Sequence, residues 1–212
     1  MTIRWRDVTI QLEEGMAVWP GDPELEYAAV SRIALGAEVN TSRVVMGTHT
    51  GTHIDAPWHY DDDGRKVHQL DPDVFFGKAL LLDCSDAGEI ALDMLDRQPL
   101  QKRVIFRTSN SEFPVGPDYY ERYIALTEPV ARRLVDEGVQ LVGIDAPSVG
   151  PWGQEGDEVH RHLLRHNIVV VEGLRLAGLR TDTYDFVVLP LPLYNVDGAP
   201  CRAFIGIEEY SE

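Results

Sequence analysis

Cysteine is almost missing from this 212-residue chain: Cys84 and Cys201 are the only two, too few for a disulfide framework or a cysteine-only metal site. Cys84 ends the apolar run Ala79-Leu80-Leu81-Leu82-Asp83-Cys84 and reads as a buried structural thiol. Basic residues are scarce as well. Acids outnumber them by 35 to 19, for a formal net charge of −16 at pH 7, which argues against nucleic-acid binding because phosphates need a lysine- or arginine-rich face. No apolar run approaches the roughly 18 residues that span a bilayer, so no membrane partner is expected. The first residues, Met1 to Val8, lack the apolar core of a secretory signal, and a cytoplasmic location is the expectation. Nucleotide and serine-hydrolase motifs are missing too: no P-loop or dinucleotide glycine pattern occurs, and Ala146-Pro147-Ser148-Val149-Gly150 lacks the first glycine of a GxSxG nucleophile elbow.

What is present reads as one globular domain, residues 1–212, because 44% hydrophobic and 25% charged residues can bury a single core and no linker or low-complexity stretch divides them. Short segments rich in Val, Ile and Phe, bounded by Gly, Pro or Asp, predict strands at Val44 to Met46, Ala79 to Leu82, Val104 to Phe106, Leu141 to Ile144, Ile168 to Val171, Phe186 to Leu189 and Ala203 to Ile207. The clearest helix is Thr127 to Glu137, where Thr127 can cap and Val130, Leu134 and Val135 share a face, before Gly138 stops it. Further helices are predicted at Ile90 to Arg97 and Asp157 to Arg165. The fold class is therefore α/β, a mixed sheet with a few helices. Residues 85–125 and the tail from Leu191 to Pro200 read as pocket-lining loops.

The run His49-Thr50-Gly51-Thr52-His53-Ile54-Asp55-Ala56-Pro57-Trp58-His59-Tyr60 holds three of the seven histidines and one carboxylate, the ligand types that zinc and similar divalent ions prefer. Glycine, proline and threonine oppose a helix here. A straight strand would separate His49 from His53 by ~13 Å, too far for one ion with bonds near ~2 Å. The segment must bend, and Gly51 is the residue that permits it. Pro57 carries His59 away from Asp55, which suits it better as a titrating neighbour of a metal than as a ligand. A second cluster offers His160, His162 and His166, with Glu172 at the end of an apolar strand where a carboxylate needs a partner or an ion. Spacing alone does not choose among the three histidines, and helix surface is the ordinary setting for each.

Taken with Trp19-Pro20-Gly21-Asp22, Gly143-Ile144-Asp145-Ala146-Pro147-Ser148 and the His160-to-Glu172 spacing, the HTGTHIDAPWHY run resembles the cyclase and bacterial kynurenine formamidase family of metal-dependent amidohydrolases, over nearly the whole length. The resemblance implies a compact β/β/α domain assembled as a homodimer or homotetramer. It implies that His49, His53 and Asp55 bind one divalent ion, that Asp55 bridges to a second held by His160, and that Glu172 completes the bridge. His162 and His166 then return to the helix surface, and Asp145 is left as a supporting or structural carboxylate. His59 becomes the general acid/base and Trp19 an aromatic wall for the substrate. Zn2+ is the first expected cofactor, two ions per subunit, with Mn2+ the alternative. The implied substrate is a small-molecule amide, first N-formyl-L-kynurenine, cleaved to L-kynurenine and formate in tryptophan breakdown. Another amide, an isatin-like lactam or a lactone is the second reading. A one-ion enzyme using Glu172 purely as a base and a metal-binding protein without catalysis are the remaining ones.

Overall fold

Four consecutive apolar runs set the frame. Among the ten strands of the described residues, β1 (Thr2–Asp7), β2 (Glu26–Ser31), β3 (Thr41–Val45), β4 (His53–Asp55), β5 (Phe76–Asp83), β6 (Arg103–Arg107), β7 (Leu141–Ile144), β8 (Val169–Glu172), β9 (Asp182–Pro190) and β10 (Gly198–Glu209), the runs are β5 to β8. The structure, a computed structural model, describes residues 2–90, 92–97 and 99–209. β5, β6, β7 and β8 pair in parallel, in that order, and parallel strands covered on both faces are apolar throughout rather than alternating. The α-helices of the described residues are α1 (Pro117–Glu121), α2 (Glu128–Asp136) and α3 (Gln154–Arg165). Leu80, Leu82, Val104, Phe106, Val142, Ile144 and Val170 face one core with α2 and α3, while Leu81, Ile105, Leu141, Val171, Phe186 and Ile205 fill the other. Each such Leu, Ile or Phe contributes roughly 1.5–3 kcal/mol by leaving water.

Antiparallel partners close the sheet on itself. β9 joins β5, β10 joins β9, β4 joins β10, and β4 also pairs with β8, so seven strands form a ring and β1 lies along the far half of β10. β2 and β3 stand apart as a two-stranded hairpin, with Val30, Ile33, Leu35 and Val39 exposed around its tip.

The strand expected at Val44 to Met46 is the end of β3, which closes at Val45 and pairs in this hairpin, not in the main sheet. The expected helix at Ile90 to Arg97 is a 3-10 turn, Leu92–Arg97, with Ala91 outside the described residues. It buries Leu95, and so short a piece, with Pro99 following, does not build an α ladder. Thr127 occupies the N-cap of α2, but its side chain makes no capping hydrogen bond. α3 begins three residues before the expected Asp157, after Gly153. Met1 and the end of the expected 1–212 unit, Tyr210 to Glu212, lie outside the described residues. Among the described residues, no helix is long and apolar enough to cross a membrane.

Candidate metal centre

The three-residue strand β4 positions the centre. It lies between β8 and β10, with His53 opposite Glu172 in register on one side and Asp55 opposite Gly198 on the other. Two of its residues therefore project a histidine and a carboxylate beside a carboxylate from the neighbouring strand. His49 returns to the same place because the chain bends: Gly51 takes φ +68°, and the His49 and His53 ring centroids end 5.0 Å apart. Thr52 pins that bend. Its hydroxyl accepts from the Ile10 N–H at 2.8 Å and donates to the Gly173 carbonyl at 2.6 Å. α3 delivers His160 from the opposite wall, and the Gly156 carbonyl 2.8 Å from its Nδ1 orients the ring.

The structure thus brings His49, His53, Asp55, His160 and Glu172 together. His49 Nδ1 is 2.8 Å from Asp55 Oδ1. His53 Nε2 is 3.2 Å from Glu172 Oε2 and 3.4 Å from Asp55 Oδ1. His160 Nε2 is 3.2 Å from Glu172 Oε1 and 3.8 Å from Asp55 Oδ2. His53, Asp55, His160 and Glu172 are all buried. Among the described residues, His53 Nε2 and Asp55 Oδ2 find no hydrogen-bond partner, an arrangement that costs free energy unless a cation satisfies both. The other nitrogen of His53 lies 3.0 Å from the Gly51 carbonyl. A hydrogen on Nδ1, in His53 as in His160, leaves the Nε2 lone pair for a metal. Two sets of donors, His49, His53 and Asp55, and Asp55, His160 and Glu172, share Asp55. The donor set fits a divalent cation.

Electrostatics point the same way. Burial opposes a proton on His49, but hydrogen bonds to Asp197 and Asp55 outweigh it and push the pKa up to about 9. His53 rises to about 10 against the same burial, through Asp55 and Glu172. Burial likewise opposes charge on Asp55 and Glu172, yet their histidine partners hold both carboxyls below the usual range. The cage is therefore built around positive charge, which protons supply when no cation does.

His59 sits at the rim, its ring 4.1 Å from that of His49. Trp19 lines the cavity of about 320 Å3 over the cage, with Tyr60, Tyr119, Tyr120 and Ser148, and stacks on Trp152 at 4.7 Å. Both segments read from sequence as loops around a pocket contribute, Tyr119 and Tyr120 from the first and Asp197 from the second. Asp197 is the residue that the motifs miss: its Oδ2 lies 2.9 Å from His49 Nε2 and 3.2 Å from His59 Nδ1, and these bonds hold its carboxyl well below the usual range. Only its place in the tail from Leu191 to Pro200 hinted at it. His162 and His166 stay off the cage, with His166 Nδ1 2.7 Å from the His162 carbonyl. Asp145 also stays off it. Its carboxylate accepts from the backbone and hydroxyls of Thr108 and Ser111, and burial raises its pKa to about 6.

Ring, cage and cavity together define a metal-dependent hydrolase. The Cyclase family model, described as "Putative cyclase", matches residues 6–151, and the chain belongs to this family of hydrolytic enzymes. It is 37% identical over 205 residues to the kynurenine formamidase of Geobacillus thermodenitrificans, covering 94% of this chain and 95% of that protein. It is 35% identical to the kynurenine formamidase of Bacillus cereus, covering 96% and 98%. A solved structure described as a potential metal-dependent hydrolase with cyclase activity superposes with a TM-score of 0.83 at 31% identity, over 99% of this chain and 100% of that one. Isatin hydrolase A from Labrenzia aggregata shares the fold, with a TM-score of 0.87 at 21% identity over 98% and 94%.

Proposed function

We propose that this chain, one catalytic domain over residues 1–212, hydrolyses the C–N bond of N-formyl-L-kynurenine to L-kynurenine and formate. The observation that carries the reading is the 37% identity to a kynurenine formamidase over 94% of the chain, in a fold that gathers His49, His53 and Asp55 with His160 and Glu172 into one largely buried cage. His49, His53 and Asp55 would hold one divalent ion and Asp55, His160 and Glu172 a second, with zinc favoured by the three imidazoles and manganese by the carboxylates. A bound divalent cation supplies Lewis acidity, polarising a carbonyl and bringing the pKa of a water toward neutrality.

The chain's own residues do the rest. Water adds its oxygen to the formyl carbon and the C–N bond breaks. His59 takes the proton from water and delivers it to the departing aniline nitrogen, a role worth roughly 10²–10⁴-fold. Trp19, Tyr119 and Tyr120 line the cavity and offer the aromatic faces a kynurenine ring would stack on. The subunit would assemble as a homodimer or homotetramer, a reading supported by exposed Val30, Ile33, Leu35 and Val39 on a hairpin that two strands alone stabilise poorly; light scattering reads it directly.

The test combines elemental analysis of protein purified without added metal with turnover of N-formyl-L-kynurenine, and of isatin as a control, before and after chelation. About two ions per chain and chelator-sensitive formamide cleavage are expected. Bound metal with isatin cleaved and N-formyl-L-kynurenine untouched would replace the substrate. Protein that takes up no zinc or manganese when offered them would remove the metal reading altogether.

A further inference from the structure

Asp197 lies 148 residues from His49 and 138 from His59 in sequence, yet a single one of its oxygens touches both rings. We propose that Asp197 is a positioning residue that fixes the tautomers of two imidazoles at once, so that His49 turns Nδ1 to the cage and His59 keeps Nε2 for proton transfer. The inference rests on the metal-hydrolase reading above and assigns a residue that reading does not use.

An ionised carboxylate can only accept hydrogen bonds, so each ring nitrogen facing Oδ2 carries hydrogen: Nε2 of His49 at 2.9 Å and Nδ1 of His59 at 3.2 Å. In His49 this leaves Nδ1, 2.8 Å from Asp55 Oδ1, as the nitrogen that can give up its proton to a cation. In His59 it leaves Nε2. Among the described residues, Asp197 is the hydrogen-bond partner of the His59 ring, so without it that ring is free to turn over and exchange nitrogens. The two rings lie 4.1 Å apart at 34°, close enough for one carboxylate oxygen to reach both. Thr48 holds the carboxylate in turn, donating its hydroxyl to Oδ1 at 3.2 Å. The next residue must be small: a Cβ on Gly198 would lie 2.6 Å from His49 Cε1. The pair Asp197-Gly198 thus brings a carboxylate to the edge of the His49 ring and leaves room for the ring itself.

Asp197→Asn and Asp197→Ala, measured beside the parent enzyme, test this. Ala removes the acceptor altogether, whereas Asn keeps the shape and one neutral carbonyl oxygen that can still face both rings, so Asn is expected to show the smaller part of each effect. The readouts are zinc affinity by competition with a chromophoric chelator, kcat and KM for N-formyl-L-kynurenine at saturating zinc, and the melting temperature of the metal-free protein. The expected result is zinc binding weakened about 10- to 100-fold and kcat lowered about 10²-fold or more. KM should stay within about 3-fold, because the substrate walls are untouched, and the metal-free variants should still melt cooperatively, no more than about 4 °C below the parent, as the loss of one hydrogen-bonded partner predicts. Unchanged affinity and kcat in both variants would overturn the proposal. Weakened zinc with full kcat at saturation would overturn its His59 half, and loss traced entirely to lower melting would make Asp197 structural. A parent that neither binds zinc nor cleaves the formamide would instead remove the reading beneath the proposal, which the parent measurements alone reveal.

Discussion

At the scale of single residues, the proposed centre gives the holding of a charge and the moving of a proton to different side chains. Glu172 Oε1 accepts from the Val149 N–H at 2.6 Å and lies 3.2 Å from His160, while Oε2 lies 3.2 Å from His53. Glu172→Gln turns an amide N–H toward at least one of these groups, so metal content and turnover are expected to fall together. Asp55→Asn should do the same, because it removes the charge shared by both donor sets. His59→Ala should keep its metal and lose about 10²–10⁴-fold in kcat. Elemental analysis beside turnover distinguishes the three variants, and full metal with full activity in either carboxylate variant would sink the bridging assignment. Thr52 belongs to neither task. Thr52→Val leaves the Ile10 N–H and the Gly173 carbonyl without their buried partner, and denaturant unfolding should show a loss of about 1–3 kcal/mol.

At the scale of elements, what decided legibility was whether a segment carries its own pattern or borrows it from neighbours. β5, β6 and β7 are apolar runs buried on both faces, and such runs read as strands without further context. The bend at Gly51 was legible because distance alone forbids a straight chain from gathering His49 and His53. β4 was not legible. It is three residues long with two polar members, and it is a strand because β8 and β10 flank it. β1 carries no such signature although Ile3 and Trp5 alternate with polar residues, since an exposed edge strand has no buried run to mark it. The choice of His160 over His162 and His166 needed either the resemblance or the structure, because all three share one helix and its end and only packing shows which is buried. Asp197 had no local signal, its partners lying far away in sequence. The register of β4 against β10 also yields a prediction. Gly198→Ala would drive a methyl into His49 Cε1 at 2.6 Å and the Ile54 carbonyl at 2.8 Å, an overpacking expected to cost about 1–3 kcal/mol. Zinc affinity should fall with it, and a calorimetric titration with the parent's affinity would show that the strand shifts without moving the ring.

At the scale of the whole molecule, protons and metal compete for the same buried cage, and stability should record the competition. The metal-free pKa values of His49 and His53, about 9 and about 10 against the ordinary 6.5, mean that the folded chain keeps protons that the unfolded chain has released. Their contribution is full below pH 6.5 and is lost as pH rises through 9 and 10. Chelated protein should therefore melt lower at pH 10 than at pH 6. High salt tests whether the cage is the cause: at 1 M ionic strength, where screening acts within about 3 Å, the repulsion of a surface carrying many carboxylates is weakened far more than interactions inside the cage. Metal addition should act in the opposite sense. A ligand at 100 times its Kd stabilises by about 2.7 kcal/mol, which in a chain of this size raises melting by about 5–10 °C. Binding displaces the cage protons, so affinity grows with pH, and the same zinc concentration should raise melting more at pH 9 than at pH 6. Equal shifts at both pH values, or equal melting of the chelated protein at pH 6 and 10, would mean that the cage histidines are neutral before metal arrives and that the carboxylates alone set its charge.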